Sequence, residues 1–366
     1  MNRTRILLLI TDLEVGGVPL HFKDLADGLS RERFDVHVAC LAPIGPVGRE
    51  IEALGLPVYG LGAAGPWDLG VFFRLKRLLG QLRPDILHAA LVHANFAGRI
   101  VGRFSGISPV VASVHTAERG VAWHHWIERW FHRLSAMTIC ISPSVRDHVI
   151  DRSRVPSERL KVIPYGIRTD VFSQARPLPN EKLGLDPSKT TLIFVGRLDP
   201  VKGVDVLLDA LKVLGRTDWQ LLIVGNGPRR AAWESQAEAA NLATAVTFLG
   251  MRRDVPALLK SADMLVMPSY WEGFGLSAAE AMAAGLPVIG TQVEGLCDVV
   301  EDGLTGILVK PGDSAQLAQA IARLLDDPAA RNAMGRAGRD RTTQHFTIER
   351  MITDYERTYA ALLTDK

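Results

Sequence analysis

At 366 residues, 47% hydrophobic and 22% charged, the chain has the make-up of a globular protein and is too long for one ordinary core, so two domains are expected. A formal net charge of +2 excludes a strongly basic nucleic-acid binder. No apolar run approaches the roughly 20 residues that span a bilayer, so any membrane contact must be peripheral.

The charge is uneven along the chain. Residues 1–170 carry 21 Lys and Arg against 16 Asp and Glu, a net of +5, together with nine of the ten histidines; the rest carries 21 against 24, a net of −3. The two halves therefore read as doing different work. A basic half suits either a solvated surface or a face for anionic lipid.

Arg3-Thr-Arg5 precedes an apolar stretch of only five residues, Ile6 to Ile10, which reads as a first strand and not as a signal peptide. Gly16-Gly17 follows directly. Bare amides there can meet a diphosphate or a sugar, although a plain strand-to-helix turn explains the pair almost as well. Val36–Cys40, Ile86–Ala89, Val110–Ser113 and Met137–Ile141 read as further buried strands, because continuous apolar runs fit a sheet covered on both faces. Arg74, Lys76, Arg77 and Arg83 lie on an amphipathic helix between them.

His115 follows the Val110 strand, which places it at the edge of the sheet where ligands bind, and His suits a sugar hydroxyl near neutral pH. A lone His is more often structural; position turns the balance if two domains face each other. Glu118 and Arg119 would order the same loop or touch an acceptor. Trp123, Trp126, Ile127, Trp130, Phe131 and Leu134 form an aromatic stripe among His124, His125, Arg129, His132 and Arg133. Such a helix either faces the core or rests on a membrane and guides a lipid-linked acceptor. Cys40, Cys140 and Cys297 lack metal-ligand spacing and read as reduced core cysteines of a cytoplasmic protein.

A Pro-rich, polar segment at 173–190 reads as a linker, after which the strand pattern restarts at Thr191–Val195, Gln220–Val224, Val246–Leu249, Met264–Met267, Pro287–Ile289 and Gly306–Val309. The expected architecture is α/β: two tandem Rossmann-like doubly wound domains, 1–172 and 191–347, with a cleft between their ligand edges. Residues 348–366 form an amphipathic helix that either closes the second domain or packs back on the first.

In Phe194-Val-Gly-Arg-Leu198, Gly196 and Arg197 end the first strand of the second domain, and Lys202 follows in a loop. A guanidinium takes two phosphate oxygens and an ammonium adds a point charge, so the pair suits a diphosphate leaving group without a metal. No Asp-x-Asp stands where a divalent ion would bridge to it. Pairing with Asp199 or Asp205 is the plainer reading. Gly225 and Gly227, in Val224-Gly-Asn-Gly-Pro228, give half a dinucleotide fingerprint with Arg230 at the third glycine; NAD is disfavoured but close approach of a nucleotide remains open. Met251 and Arg252 are expected to border the base.

Glu272-Gly-Phe-Gly-Leu-Ser-Ala-Ala-Glu280 carries the most information. A buried strand delivers a glycine loop to a helix N-terminus, a natural phosphate site, and two carboxylates flank it. On one helix they would stand roughly 12 Å apart, against about 5 Å in a retaining glycosidase, so they grip different parts of one ligand. The neutral donors of a nucleotide sugar are hydroxyls, which carboxylates accept. Two solvated surface glutamates are the bland alternative.

Gly16-Gly17, His115, Arg197 with Lys202, and Glu272 with Glu280 at these separations resemble family 4 of the retaining glycosyltransferases, of GT-B fold. Ile163-Pro-Tyr-Gly166, Pro268-Ser269 and Ala284-Gly-Leu-Pro-Val288 extend the resemblance to nearly the whole chain. It implies that Arg197 and Lys202 neutralise the donor diphosphate, that Glu272 and the amides of Phe274, Gly275 and Leu276 hold the transferred sugar and phosphate, that Glu280 binds ribose hydroxyls, and that His115 lines the sugar site. The chain departs from the family pattern at Tyr165-Gly-Ile-Arg168, often Asn-Gly-Val/Ile-Asp, at Glu294-Gly295, often two glycines, and at Asp298, commonly Glu.

The expectation is metal-free transfer of a hexose-type sugar, with retention, from a nucleotide-diphosphate donor to a glycan or lipid-linked acceptor, with no cofactor beyond the co-substrate. A sugar-nucleotide epimerase or a non-catalytic glycan-binding subunit are the alternatives.

Overall fold

The computed structural model describes residues 3–65, 68–116 and 122–364. Contacts divide it into two units, Met1–Gly166 with Ile348–Lys366, and Ile167–Thr347.

The first unit is built on seven strands: β1 (Thr4–Ile10), β2 (Phe34–Cys40), β3 (Val58–Gly60), β4 (Ile86–Ala90), β5 (Val110–Val114), β6 (Met137–Cys140) and β7 (Leu160–Val162). They lie in the order β3-β2-β1-β4-β5-β6-β7, every pair parallel. Because strand side chains alternate, β1 feeds two cores at once. Ile6, Leu8 and Ile10 pack with Phe22 and Leu25 on one face. Leu7 and Leu9 pack with Leu75, Leu79 and Ala97 on the other. The edge strands β3 and β7, three residues each and only partly buried, carry no apolar run by which the sequence would show them.

The helix Ile348–Thr364 belongs to this first unit. Ile348, Met351, Ile352, Tyr355 and Tyr359 are buried in the core that Ile6 and Phe22 share. Their spacing puts them on one helical stripe, which needs an apolar surface to cover it.

The second unit has six strands: β8 (Thr190–Val195), β9 (Trp219–Val224), β10 (Val246–Gly250), β11 (Met264–Met267), β12 (Val288–Thr291) and β13 (Gly306–Val309). Their order is β10-β9-β8-β11-β12-β13, again all parallel. The strand order reverses beside β8, and the loops after β8 and β11 are therefore neighbours. That is the position at which open α/β sheets bind ligands.

Three expectations need correction. The first unit ends at Gly166 and not at 172, because the helix Thr169–Gln174 buries Phe172 and packs against the helices Val255–Lys260 and Leu276–Ala284. The segment 173–190 is no bare linker either: Leu183 is buried, and the Gln220 side chain accepts from the Asp186 amide at 2.9 Å and donates to its carbonyl at 3.0 Å. Cys40 and Cys140 are buried, but Cys297 is exposed, since the short helix Leu296–Val299 turns Leu296 and Val299 inward.

The aromatic stripe divides. On the helix Ala122–Phe131, Ile127 and Phe131 face inward, with Phe131 against Phe96 at 5.0 Å, and Glu128 below them forms a buried pair with Arg99. Trp123, Trp126 and Trp130 stand outside, 42%, 58% and 59% exposed. Two spacings, i to i+4 for the inward set and i, i+3, i+7 for the outward one, had merged into one apparent face.

Candidate functional site

In the second unit, the loops after β8 and β9 lock by backbone contact. Gly196 N–H donates to the Val224 carbonyl and Leu198 N–H to the Asn226 carbonyl, each at 3.0 Å. Gly225 has φ 135°, and a Cβ there would lie 1.9 Å from the Gly196 oxygen; at Gly227 it would lie 2.3 Å from the Leu198 oxygen. Close packing alone thus demands these glycines. The Arg197 side chain, 72% exposed, leaves this junction toward solvent, with Nε 3.0 Å from Asp199 Oδ2. Asp199 spends Oδ1 on the Val201 amide, so the plainer pairing foreseen for Arg197 is present.

The turn that follows sets Lys202 against the loop after β11. Gly203, at φ 63°, lies so near that loop that a Cβ would stand 2.2 Å from the Pro268 oxygen, and Tyr270 N–H donates to the Val201 carbonyl at 2.8 Å. Lys202 Nζ meets Glu272 Oε1 at 2.6 Å. Ser269 Oγ donates to the same oxygen at 2.7 Å, and Thr291 Oγ1 holds the Ser269 carbonyl at 2.5 Å. Glu272 is only 7% exposed. Lys202 therefore pairs with Glu272, 70 residues away, and not with Asp205. The charges of Arg197 and Lys202 are matched here by Asp199 and Glu272.

Gly275, at φ 88°, is the N-cap of the helix Leu276–Ala284 and, as glycine, offers no side chain of its own to cap it. The first amides of such a helix have no partner within it and carry its positive dipole end. Phe274 is buried against Phe346, rings 5.4 Å apart, which fixes the loop before the helix. Gly295 backs it from below: its φ is 78°, and a Cβ would come within 2.4 Å of the Gly273 carbonyl carbon. The glycine kept at the departure Glu294-Gly295 is thus the one that packing requires. Glu280, half-buried, lies on the same helix one turn further on. Arg252 follows β10 and is held by Asp254 at 2.8 and 2.6 Å.

In the first unit, Gly16 is the N-cap of the helix Gly17–Gly28 at φ −175°, a conformation open to any residue. A Cβ there would touch only Pro19 Cδ at 3.6 Å. Neither backbone nor packing calls for this glycine.

His115 follows β5, 6% exposed, with Nδ1 2.8 Å from the Tyr165 hydroxyl. Its Nε2 has no hydrogen-bond partner among the described residues. The ring borders a pocket lined by Asn95, Thr116, His124, His125 and His148. Burial lowers the His115 pKa to about 3, so the imidazole is neutral at physiological pH. Glu118 and Arg119 lie outside the described residues. Among the described residues no cluster of three or more His, Cys, Asp or Glu has the placement to hold a metal ion.

Residues 176–341 match the model of glycosyl transferases group 1, and residues 15–171 that of glycosyltransferase family 4. The N-acetyl-alpha-D-glucosaminyl L-malate synthase of Bacillus anthracis is 33% identical over 308 residues, which span 82% of this chain and 81% of that protein. The chain belongs to glycosyltransferase family 4. This glycosyltransferase is also 29% identical over 342 residues to the alpha-D-kanosaminyltransferase of Streptomyces kanamyceticus, spanning 85% and 84% of the two chains. Among solved structures, Anabaena HepE in complex with UDP and glucose superposes with a TM-score of 0.89 over 98% of this chain and 100% of that one, at 23% identity. The two-sheet α/β architecture of the glycosyltransferase is accordingly the GT-B fold.

Sequence reasoning gave no role to Ser269, Thr291, Gly203 or Tyr165. Gly203 was legible in principle, since a glycine after Lys202 at a helix entrance signals a positive φ. The others become visible only when strand neighbours are known.

Proposed function

We propose that this glycosyltransferase transfers a hexose-type sugar from a nucleotide-diphosphate donor to an acceptor hydroxyl, with retention and without a metal, in polysaccharide, lipopolysaccharide or glycolipid synthesis. The observation that carries the donor reading is the Lys202–Glu272–Ser269 junction beside Arg197 and the helix N-terminus at Gly275. A diphosphate arriving there takes helix amides and draws Lys202 toward its oxygens; Glu272 keeps Ser269 and frees lone pairs for sugar hydroxyls. Glu280 would accept from the ribose, with Arg252 near the base. UDP and glucose bound to HepE are consistent with such a donor.

Glu272 is already engaged by two donors, which disfavours it as a covalent nucleophile. In the proposed course the bond from the anomeric carbon to the diphosphate oxygen breaks, and the acceptor oxygen bonds to that carbon on the same face. The acceptor proton passes to the leaving oxygen, whose charge Arg197 and Lys202 stabilise. Arg197→Ala should reduce transfer by roughly a hundredfold, as loss of one charge-stabilising donor does elsewhere, and leave the fold unchanged. Near-normal turnover by a folded variant would overturn the donor assignment. Conversion of the donor without any acceptor would reveal an epimerase, and failure to release nucleotide with every donor and acceptor a binding subunit.

The first unit would receive the acceptor. Gly16 has no structural need to be glycine, which supports close approach by a ligand at that turn. Three exposed tryptophans on one helix, with Arg129 and Arg133 beside them, suit the cytoplasmic face of an anionic membrane and a lipid-linked acceptor. No helix of the described residues is long and apolar enough to cross a membrane. Co-sedimentation with vesicles containing phosphatidylserine should fall at least about fivefold when Trp126 and Trp130 are both replaced by Ser. Equal binding by that variant would remove the membrane from the proposal.

A further inference from the structure

Tyr165 follows β7, and its hydroxyl meets His115, the histidine that follows β5. We propose that Tyr165 is a positioning residue for His115: its hydroxyl donates to Nδ1, confines the ring to the Nε2–H tautomer, and so presents an N–H donor to an acceptor oxygen of the bound sugar.

A neutral imidazole has one donor and one acceptor nitrogen, and the partner of one decides the role of the other. The Tyr165 oxygen lies 2.8 Å from Nδ1, within hydrogen-bond range, and a phenol O–H is a better donor than an imidazole N–H while an imidazole nitrogen is a better acceptor than a phenol oxygen. In the reverse arrangement the Nδ1 proton would point at the phenol and Nε2 would offer a lone pair in place of a proton. Burial keeps both groups uncharged, with His115 at about 3 and the Tyr165 hydroxyl pushed well above its usual value. Nε2 is the atom left without a hydrogen-bond partner among the described residues.

Packing holds Tyr165 to this task. Its ring stacks on His115 at 5.7 Å and 22°, and lies 4.5 Å from the ring of His21. His21 Nε2 in turn meets the Tyr355 hydroxyl at 3.2 Å. The next residue, Gly166, is pressed on the helix Ile348–Thr364 so closely that a Cβ would stand 2.5 Å from Ile348 Cα. The terminal helix therefore braces His115 through Tyr355, His21 and Tyr165.

The inference rests on the glycosyl-transfer reading for its ligand, but the tautomer does not. Proton–nitrogen correlation NMR of the full chain with 15N-labelled histidine, at neutral pH and without ligand, should show His115 protonated at Nε2 and bare at Nδ1. An Nδ1–H resonance for His115 would overturn the proposal, and needs no variant. Tyr165→Phe keeps the stacking and removes the donor. It should mix the two tautomers and lower kcat roughly tenfold, about the loss of one hydrogen bond, while donor KM changes less than threefold. An unchanged tautomer with unchanged kcat in that variant would equally overturn it. Absence of transfer by the wild-type chain with every donor tried would instead sink the glycosyl-transfer reading, with the NMR result standing.

Discussion

Lys202→Met isolates the buried junction of the second unit. The substitution preserves length and removes the ammonium from Glu272, whose side chain is 10% exposed and which would keep only Ser269 of its two donors. Removing one partner of a fully buried pair costs about 3–5 kcal/mol. Lys202 retains 22% exposure, so water reaches the pair and screening reduces the figure to about 2 kcal/mol. For a unit of this size that corresponds to a fall in melting temperature of roughly 4–8 °C. Urea unfolding of Lys202→Met, Glu272→Gln and the double variant gives the coupling directly; the double variant should be more stable than Lys202→Met by about 1 kcal/mol or more, because the uncompensated carboxylate is gone. Both single variants should lose transfer. Stability of Lys202→Met within about 0.5 kcal/mol of wild type would refute the reasoning, since it would mean that Glu272 is satisfied without the lysine.

Glycines of the two units should respond differently. Gly225→Ala should cost about 2 kcal/mol or more, because φ 135° is strained for alanine and the Cβ would meet the Gly196 oxygen. Gly16→Ala should alter stability by less than about 0.5 kcal/mol while impairing transfer, measured by denaturation and turnover on the same preparations. Mild acid, above about pH 4, should weaken the first unit selectively. Burial lowers both His88 and His115 to about 3, whereas the unfolded chain binds those protons near the ordinary histidine value of about 6.5. The unfolded state thus holds more protons between those limits, so stability is full above about pH 6.5 and declines toward pH 3, by at most about 1.4 kcal/mol per pH unit for each group. Denaturant midpoints independent of pH across that window would contradict the buried, neutral assignment.

Most of the architecture was legible because parallel strands covered on both faces are continuous apolar runs. The strands Met264–Met267 and Gly306–Val309 stand where the sequence put them, with the same ends. What failed was short or two-sided. Strands β3 and β7 have three residues and little apolar signal, and the tryptophan helix carries apolar residues on both faces, so its periodicity could not say which was covered. Tertiary context likewise decided the site. Glu272 and Lys202 were each singled out, yet their partnership depends on β8 lying beside β11, and a strand order is not written in local residue patterns. Gly225 and Gly227 suggested a nucleotide, and loop-to-loop contact also calls for them; Gly16, read as a turn whose bare amides could meet a ligand or as a plain strand-to-helix turn, has neither a backbone nor a packing need to be glycine.

The return of residues Ile348–Thr364 to the first sheet sets an order of events during synthesis. Residues 167–347 form a continuous stretch and can close their core while the chain is still being made. The first unit, begun earlier, must wait for residues 348–364 to leave the ribosome before Tyr355 and Tyr359 reach His21 and His88. The unit begun first is therefore completed after the second, and a chain stalled before residue 348 would carry a finished second unit and a first one whose apolar surface around Ile6 and Phe22 stays open to chaperones.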